Sequence, residues 1–299
     1  MKIRHSLSTL VVLAILFQPL SAALAQQPPK AGTKHCLWKV QGKTTTAYLF
    51  GSIHFLKKEF YPLPKPIEDA YANSQVVMFE TDFEEMQTPQ TQLKMLQQGR
   101  YPEGETLKQH LSKETYAKLQ SYLTETVGTG EVFDTLKPWM VAIALLGVEL
   151  QKLGFDPQQG VDKYFFGKAT KDKKTILPLE TVDFQVNLLS GLTQVEGEAM
   201  LKETLQEISN FKKMLGEMID AWKNGDAKAL DTLTLDVMRQ FPDVHKKLLL
   251  DRNKDWSSKL EKQLAAGKPV FVVVGAAHLV GKDSLVDLLA KKGYKIEQQ

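Results

Sequence analysis

The chain is 299 residues long, enough to bury a large core as one big domain or two intimate halves. Its formal net charge is +3 at pH 7 and drops to +1 without the first 25 residues, which hold Lys2 and Arg4 and no acid. A near-neutral chain gives no electrostatic case for nucleic acid or an anionic membrane as partner, and a single cysteine, Cys36, excludes an internal disulfide.

Residues 1–25 read as an export signal, with a basic start, an apolar run from Leu7 to Phe17 and the small-residue cleavage pattern Ala23-Leu24-Ala25. The apolar run is short for a bilayer crossing, which takes roughly 20 residues. The expectation is a periplasmic or secreted protein without stable membrane insertion once the signal is removed. An uncleaved N-terminal anchor is the alternative. Residues 26–34, rich in Gln, Pro and Lys, predict a disordered leader, and 35–299 a single domain. Cys36 reads as a buried, inert thiol, because its neighbour His35 would point to the opposite face of a strand.

Taken in order, Cys36–Val40 and Thr45–Phe50 predict a hairpin turning at Gln41-Gly42-Lys43. Pro62, Pro64 and Pro66 stiffen the following loop, a short helix covers 67–73, and Val76–Glu80 is a buried strand. The middle is helical. Segments 106–110 and 113–127 precede a helix from Pro138 to Leu153, with proline suited to its first turn and Gly154 to its end. Gly160-Val161-Asp162 opens a further helix to about Thr170. Thr175–Leu179 is a short strand ending at Glu180, placed at an edge or a bulge by Pro178. Apolar residues at helical spacing run from Glu196 to Trp222. A helix over 242–265 carries Leu249, Trp256, Leu260 and Leu264 on one face, with Arg252 and Asn253 turned the same way. An inward arginine and amide must find polar partners, because unpaired burial costs about 1–3 kcal/mol; they serve a site or cap a neighbouring loop.

Val270–Val274 is uncharged and β-branched, as expected of a strand buried on both faces of a parallel sheet. It ends in Gly275-Ala276-Ala277-His278. The same arrangement closes the second strand, as Gly51-Ser52-Ile53-His54. Each copy continues as loop, helix and strand, the later one through 283–292 and Tyr294–Glu297. The expected fold is α/β: a central mixed sheet with flanking helices, two related strand–Gly-x-x-His–helix–strand modules, and a helical middle insertion. Sites in such sheets gather at the C-terminal ends of the strands, so His54 and His278 are expected to meet there. The glycines are expected to let the chain turn sharply off each strand.

Glu80 and Glu180 end two further strands. Two imidazoles and strand-end carboxylates offer ligands for a divalent ion of the zinc, manganese or cobalt type. A bound water would then lose its proton near neutral pH, a spare carboxylate would act as base, and Arg252 would stabilise an oxyanion. The structural alternative for both glutamates is loop capping. Asp82 and Asp162 are weaker candidates, Asp162 serving equally well as a helix cap. A metal-free proton-transfer esterase uses the same groups. Neither Gly-x-Ser-x-Gly nor His-Glu-x-x-His occurs.

From about Cys36 to its C-terminus the chain resembles the TraB/GumN family, which includes the Tiki proteases. The resemblance rests on the two Gly-x-x-His motifs, Pro64, Phe79-Glu80-Thr81-Asp82, Gly160-Val161-Asp162, Leu179-Glu180-Thr181 with Gln185, Arg252-Asn253 with Trp256, Leu279, Gly281 and Gly293-Tyr294. It implies a fold related to erythromycin esterases and haem-binding ChaN-like proteins, and proteolysis dependent on a divalent metal, with manganese or cobalt favoured. Carried over, His54, Glu80 and His278 are the metal ligands, with Glu180, Arg252 and Asn253 in catalytic support. Asp251 departs from the glutamate that relatives often carry there. The function expected is an exported metal-dependent hydrolase acting on a peptide or protein. A non-catalytic peptide or haem binder using the same cleft is the rival.

Overall fold

Six short segments rich in β-branched and aromatic residues pair into one sheet. They are β1 (Leu37–Gln41), β2 (Thr46–Ser52), β3 (Val76–Phe79), β4 (Thr175–Pro178), β5 (Val270–Gly275) and β6 (Lys295–Gln298). The order across the sheet is β4-β3-β5-β2-β1-β6. Strands β4, β3, β5 and β2 run parallel, and β1 is antiparallel to both its neighbours. The computed structural model describes residues 34–126, 128 and 131–299. The expected export signal and all but the last residue of the leader lie outside the described residues. Among the described residues no helix is long and apolar enough to cross a membrane.

The helices, in chain order, are α1 (Lys65–Ala72), α2 (Phe83–Met86), α3 (Pro89–Gln98), α4 (Leu107–His110), α5 (Lys113–Thr126), α6 (Pro138–Lys152), α7 (Val161–Lys171), α8 (Val182–Ser190), α9 (Gln194–Glu207), α10 (Phe211–Lys223), α11 (Ala227–Arg239), α12 (Pro242–His245), α13 (Asp251–Ala265) and α14 (Leu285–Lys291). The mixed sheet and its helices make the fold α/β. The expected hairpin and α6 fall close to where the sequence places them. Pro178 pairs with Phe79 on β4, an edge strand, where a missing N–H costs no ladder bond.

Two apolar clusters hold this together. Val270 to Val274 are wholly buried, as a strand covered on both faces must be. Phe50 and Phe271, diagonal neighbours on the paired strands β2 and β5, stack at 5.9 Å and are covered by Phe165 of α7 and Tyr71 of α1. The second cluster joins Leu107, Leu119, Leu123, Leu145 and Leu201 from α4, α5, α6 and α9, and forms the helical middle.

Three local expectations change. The apolar run from Glu196 to Trp222 is two helices, because Ser209 and Asn210 interrupt it with side chains that compete for backbone hydrogen bonds. The helix over 242–265 contains a π-turn at Lys246–Leu250, a widening that often marks a functional position. Helices α2, α3, α8 and α11 lie in stretches for which no element is expected above.

The motif glycines also act differently from expectation. Gly275 has ordinary extended dihedrals (φ −50°, ψ 135°), and Gly51 lies within β2. What they provide is space. A Cβ on Gly51 would lie 2.5 Å from Cys36 Sγ, in a core whose packing leaves no room for it.

Candidate functional site

Strands β2 and β5 are parallel neighbours, with Gly51 opposite Val274 and Ser52 opposite Gly275. The two Gly-x-x-His segments therefore leave the sheet side by side, at the C-terminal edge of the parallel strands. The modules diverge afterwards: β3 returns next to β5, whereas β6 lies at the far edge beyond β1. Strands β3 and β4, adjacent and parallel, deliver Glu80 and Glu180 to the same edge, with Glu180 N donating to Glu80 O at 2.9 Å.

Gly275 lies at the junction. A Cβ built there would be 3.3 Å from Glu80 Oε1, 3.5 Å from His54 Nε2 and 3.7 Å from His278 Cδ2. Glycine thus leaves a small space shared by the open nitrogen of His54 and an oxygen of Glu80. The His54 side chain is 56% exposed, and its Nδ1 lies 2.8 Å from Oδ2 of the buried Asp162. Ser52 Oγ donates to the other oxygen of Asp162 at 2.6 Å.

From α13, Arg252 reaches into this cluster. Nε and Nη2 of its guanidinium bond Glu180, Nη2 also bonds Glu80 at 2.6 Å, and Nη1 reaches Leu248 O at 3.0 Å and His278 Nε2 at 3.2 Å. All five N–H donors are thereby used. Its plane lies over the Trp256 ring, 4.5 Å from the centroid, and Trp256 Nε1 donates to Glu180 at 3.1 Å. Asn253 Nδ2 donates to Asp283 O, so the amide oxygen is what faces His278 Nδ1 at 2.6 Å. That oxygen only accepts, hence His278 carries its proton on Nδ1 and turns a lone pair on Nε2 toward Arg252. Gly275 N (2.7 Å) and Gln185 Nε2 (3.3 Å) complete the donors to Glu80.

The electrostatics follow from this geometry. Burial would raise the Glu80 carboxyl, but the charges of His278, Arg252 and His54 and the Gly275 N–H overcome it and hold it at about 2. Burial pushes His278 down to about 3, so at neutral pH it is uncharged and Arg252 is the permanent cation beside Glu80. Asp162 raises His54 to about 9 against the opposing effect of burial. Solvent over the open half of that ring tempers the effect.

These shifts fix the sign of a stability profile. His278 (6.5 lowered to about 3) and Glu80 (4.5 lowered to about 2) both take up protons in the unfolded chain first, so stability is lost as pH falls from 6.5 toward 2. His54 (6.5 raised to about 9) contributes stability fully below 6.5 and loses it as pH rises through 9. Urea midpoints measured across the range should peak near neutrality, with the steeper loss on the acid side. A profile rising steadily into acid would contradict these environments.

All six residues expected at the site lie in one cluster at the C-terminal edge of the parallel strands, in different capacities. His54 and Glu80 face the space beside Gly275, while His278 turns Nε2 to Arg252 and Asn253 clamps His278. Glu180 is spent on Arg252 and Trp256, which leaves it no free oxygen for a base, and Arg252 has no spare donor for substrate. Among the described residues no three His, Cys, Asp or Glu side chains form a preformed metal-holding group. Sequence reasoning undervalued Asp162 and missed Ser52. The signal for Asp162 was the Gly160-Val161-Asp162 motif; Ser52 occupied an unassigned position inside the first Gly-x-x-His.

The TraB/PrgY/gumN family model matches residues 36–298. The chain belongs to that family. Among the relatives of this family member are the uncharacterized protein YbaP of Escherichia coli (strain K12), 29% identical over 81% of this chain and 87% of that protein. The metalloprotease TIKI homolog of Nematostella vectensis is 23% identical over 90% of this chain and 68% of its own length. Human metalloprotease TIKI1 is 20% identical over 93% and 65%. No solved structure matches the chain. The matched region contains every residue of the cleft described above.

Proposed function

We propose that this TraB/PrgY/gumN family member is an exported, protease-like hydrolase whose cleft takes a divalent ion (manganese, cobalt or zinc) between His54 and Glu80. One observation carries the reading: His54 Nε2 and Glu80 Oε1 face a common space that Gly275 keeps clear, while a buried carboxylate fixes the other nitrogen of His54. A carboxylate behind a histidine is the usual support of a metal-ligating imidazole. The names of the TIKI relatives point the same way. The donor chemistry fits at His54 and Glu80. His278, expected as a third ligand, is assigned here to holding Arg252, since its lone pair already has a partner.

A bound ion would polarise a peptide carbonyl and supply a water that ionises near neutrality. The chain's own groups do the rest. Glu80 stays ionised, with one hydrogen bond on Oε1 and acceptor capacity left over. His54 gives up its proton from Nε2 on becoming a ligand, so ion uptake weakens as pH falls. Glu180, Trp256 and His278 hold Arg252, whose charge offsets that of Glu80 and keeps the carboxylate oriented. The partner in this reading is a peptide or protein, and export through residues 1–25 and a fold kinship with erythromycin esterases and ChaN-like proteins go with it.

The test is metal content, measured by elemental analysis after exposure to manganese, cobalt or zinc, alongside hydrolysis of a peptide library with and without chelator. The expected result is retained metal and chelator-sensitive cleavage. Retained metal with no cleavage would favour the peptide-binding rival, and absence of both would end the reading.

A further inference from the structure

We propose that Asp162, steadied by Ser52, is the positioning residue of His54: it decides which ring nitrogen faces the cleft and aims that nitrogen at the space beside Gly275 and Glu80. The metal role of that nitrogen rests on the reading above; the positioning does not. Asp162 lies in the first turn of α7, where unpaired backbone N–H groups and the helix dipole offer a carboxylate ready partners. Its two oxygens go elsewhere, to Ser52 Oγ at 2.6 Å and His54 Nδ1 at 2.8 Å. It is buried, whereas the ring it holds is 56% exposed. A buried carboxylate committed to an exposed ring, rather than to the N–H groups of its own helix, points to orientation as its purpose.

The backbone supports the same reading. Val161 N donates to Ile53 O at 3.0 Å, and a Cβ on Gly160 would lie 2.3 Å from His54 O. The start of α7 is thus pressed against the main chain of His54, with only a glycine able to fit. Asp162 and His54 are set against each other by the main chain, with Ser52 supplied by the end of β2. With Nδ1 occupied, Nε2 is the one nitrogen that can act in the cleft.

The experiment uses the full chain, with wild type, Asp162→Asn, Ser52→Ala and His54→Ala compared by calorimetric Mn²⁺ titration and proton NMR. A carboxylate-bound Nδ1 proton gives a low-field resonance, assigned by its loss in His54→Ala. Asp162→Asn, with near-UV circular dichroism unchanged, should lose that resonance and bind Mn²⁺ about 10–100-fold more weakly. Ser52→Ala should shift the resonance and weaken binding by a smaller factor. A wild type without the resonance, or an Asp162→Asn protein that keeps both resonance and affinity, overturns the proposal. If Asp162→Asn does not fold, an unchanged resonance and affinity in Ser52→Ala overturns it. A wild type that shows the resonance but binds no Mn²⁺ ends the metal reading alone, and the loss of the resonance in Asp162→Asn still upholds the positioning role.

Discussion

Arg252→Ala is expected to destabilise the fold by about 3–5 kcal/mol, the usual cost of removing one partner from a buried ion pair. Glu80 and Glu180 would remain, both buried, with most of their compensating donors gone. The expense lies in the carboxylates left behind, because an ionised group in low dielectric without a counter-charge cannot recover its lost hydration. Trp256 would also lose the guanidinium stacked on it. Removing the charge together with a partner should cost less: Glu180→Met with Arg252→Met keeps volume and apolar contact and leaves Glu80 with Gly275 N and Gln185. Urea unfolding followed by circular dichroism measures both. A loss below about 1 kcal/mol for Arg252→Ala would mean the cluster is far more hydrated than its burial indicates.

His54→Ala should show the opposite pattern, a large functional loss with a modest structural one. Its ring is mostly open to solvent, so no core contact disappears. Asp162 keeps the Ser52 hydroxyl and loses one partner, a cost of about 1–3 kcal/mol. On the proposed reading, metal retention and peptide cleavage should fall by more than the roughly 10–100-fold that losing an outer-shell partner costs, because a ligand would be removed. Cleavage at wild-type rates with the fold intact would remove His54 from the mechanism. The two variants together test whether the exposed His54 serves the proposed activity and the buried Arg252 the fold.

Much of the sheet was legible because strand signals here are local. Val270–Val274 carries five apolar residues in a row, four of them β-branched, a short run of the kind a strand covered on both faces shows. The Gly-x-x-His pair was legible for the same reason, as a short motif directly after a recognisable strand. Helix α11 was overlooked although Leu230, Leu233, Val237 and Met238 recur at helical spacing. The break between α9 and α10 was hidden by apolar periodicity that happens to continue across Ser209 and Asn210.

By itself, then, the sequence determined that two histidines and two glutamates end uncharged strands, and that an inward arginine and amide travel on one helix. Those facts depend on composition and periodicity over a few residues. Tertiary structure alone decided how the groups are shared out: the arginine committed entirely to the two glutamates, His278 and the Leu248 carbonyl one turn back, and His54 paired with an aspartate 108 positions away. Hydrogen-bond partners are chosen by direction and distance between segments remote in the chain, and no local pattern encodes them. Glycine's part was decided the same way. A missing Cβ matters only once His54, Glu80 and His278 have been brought around it.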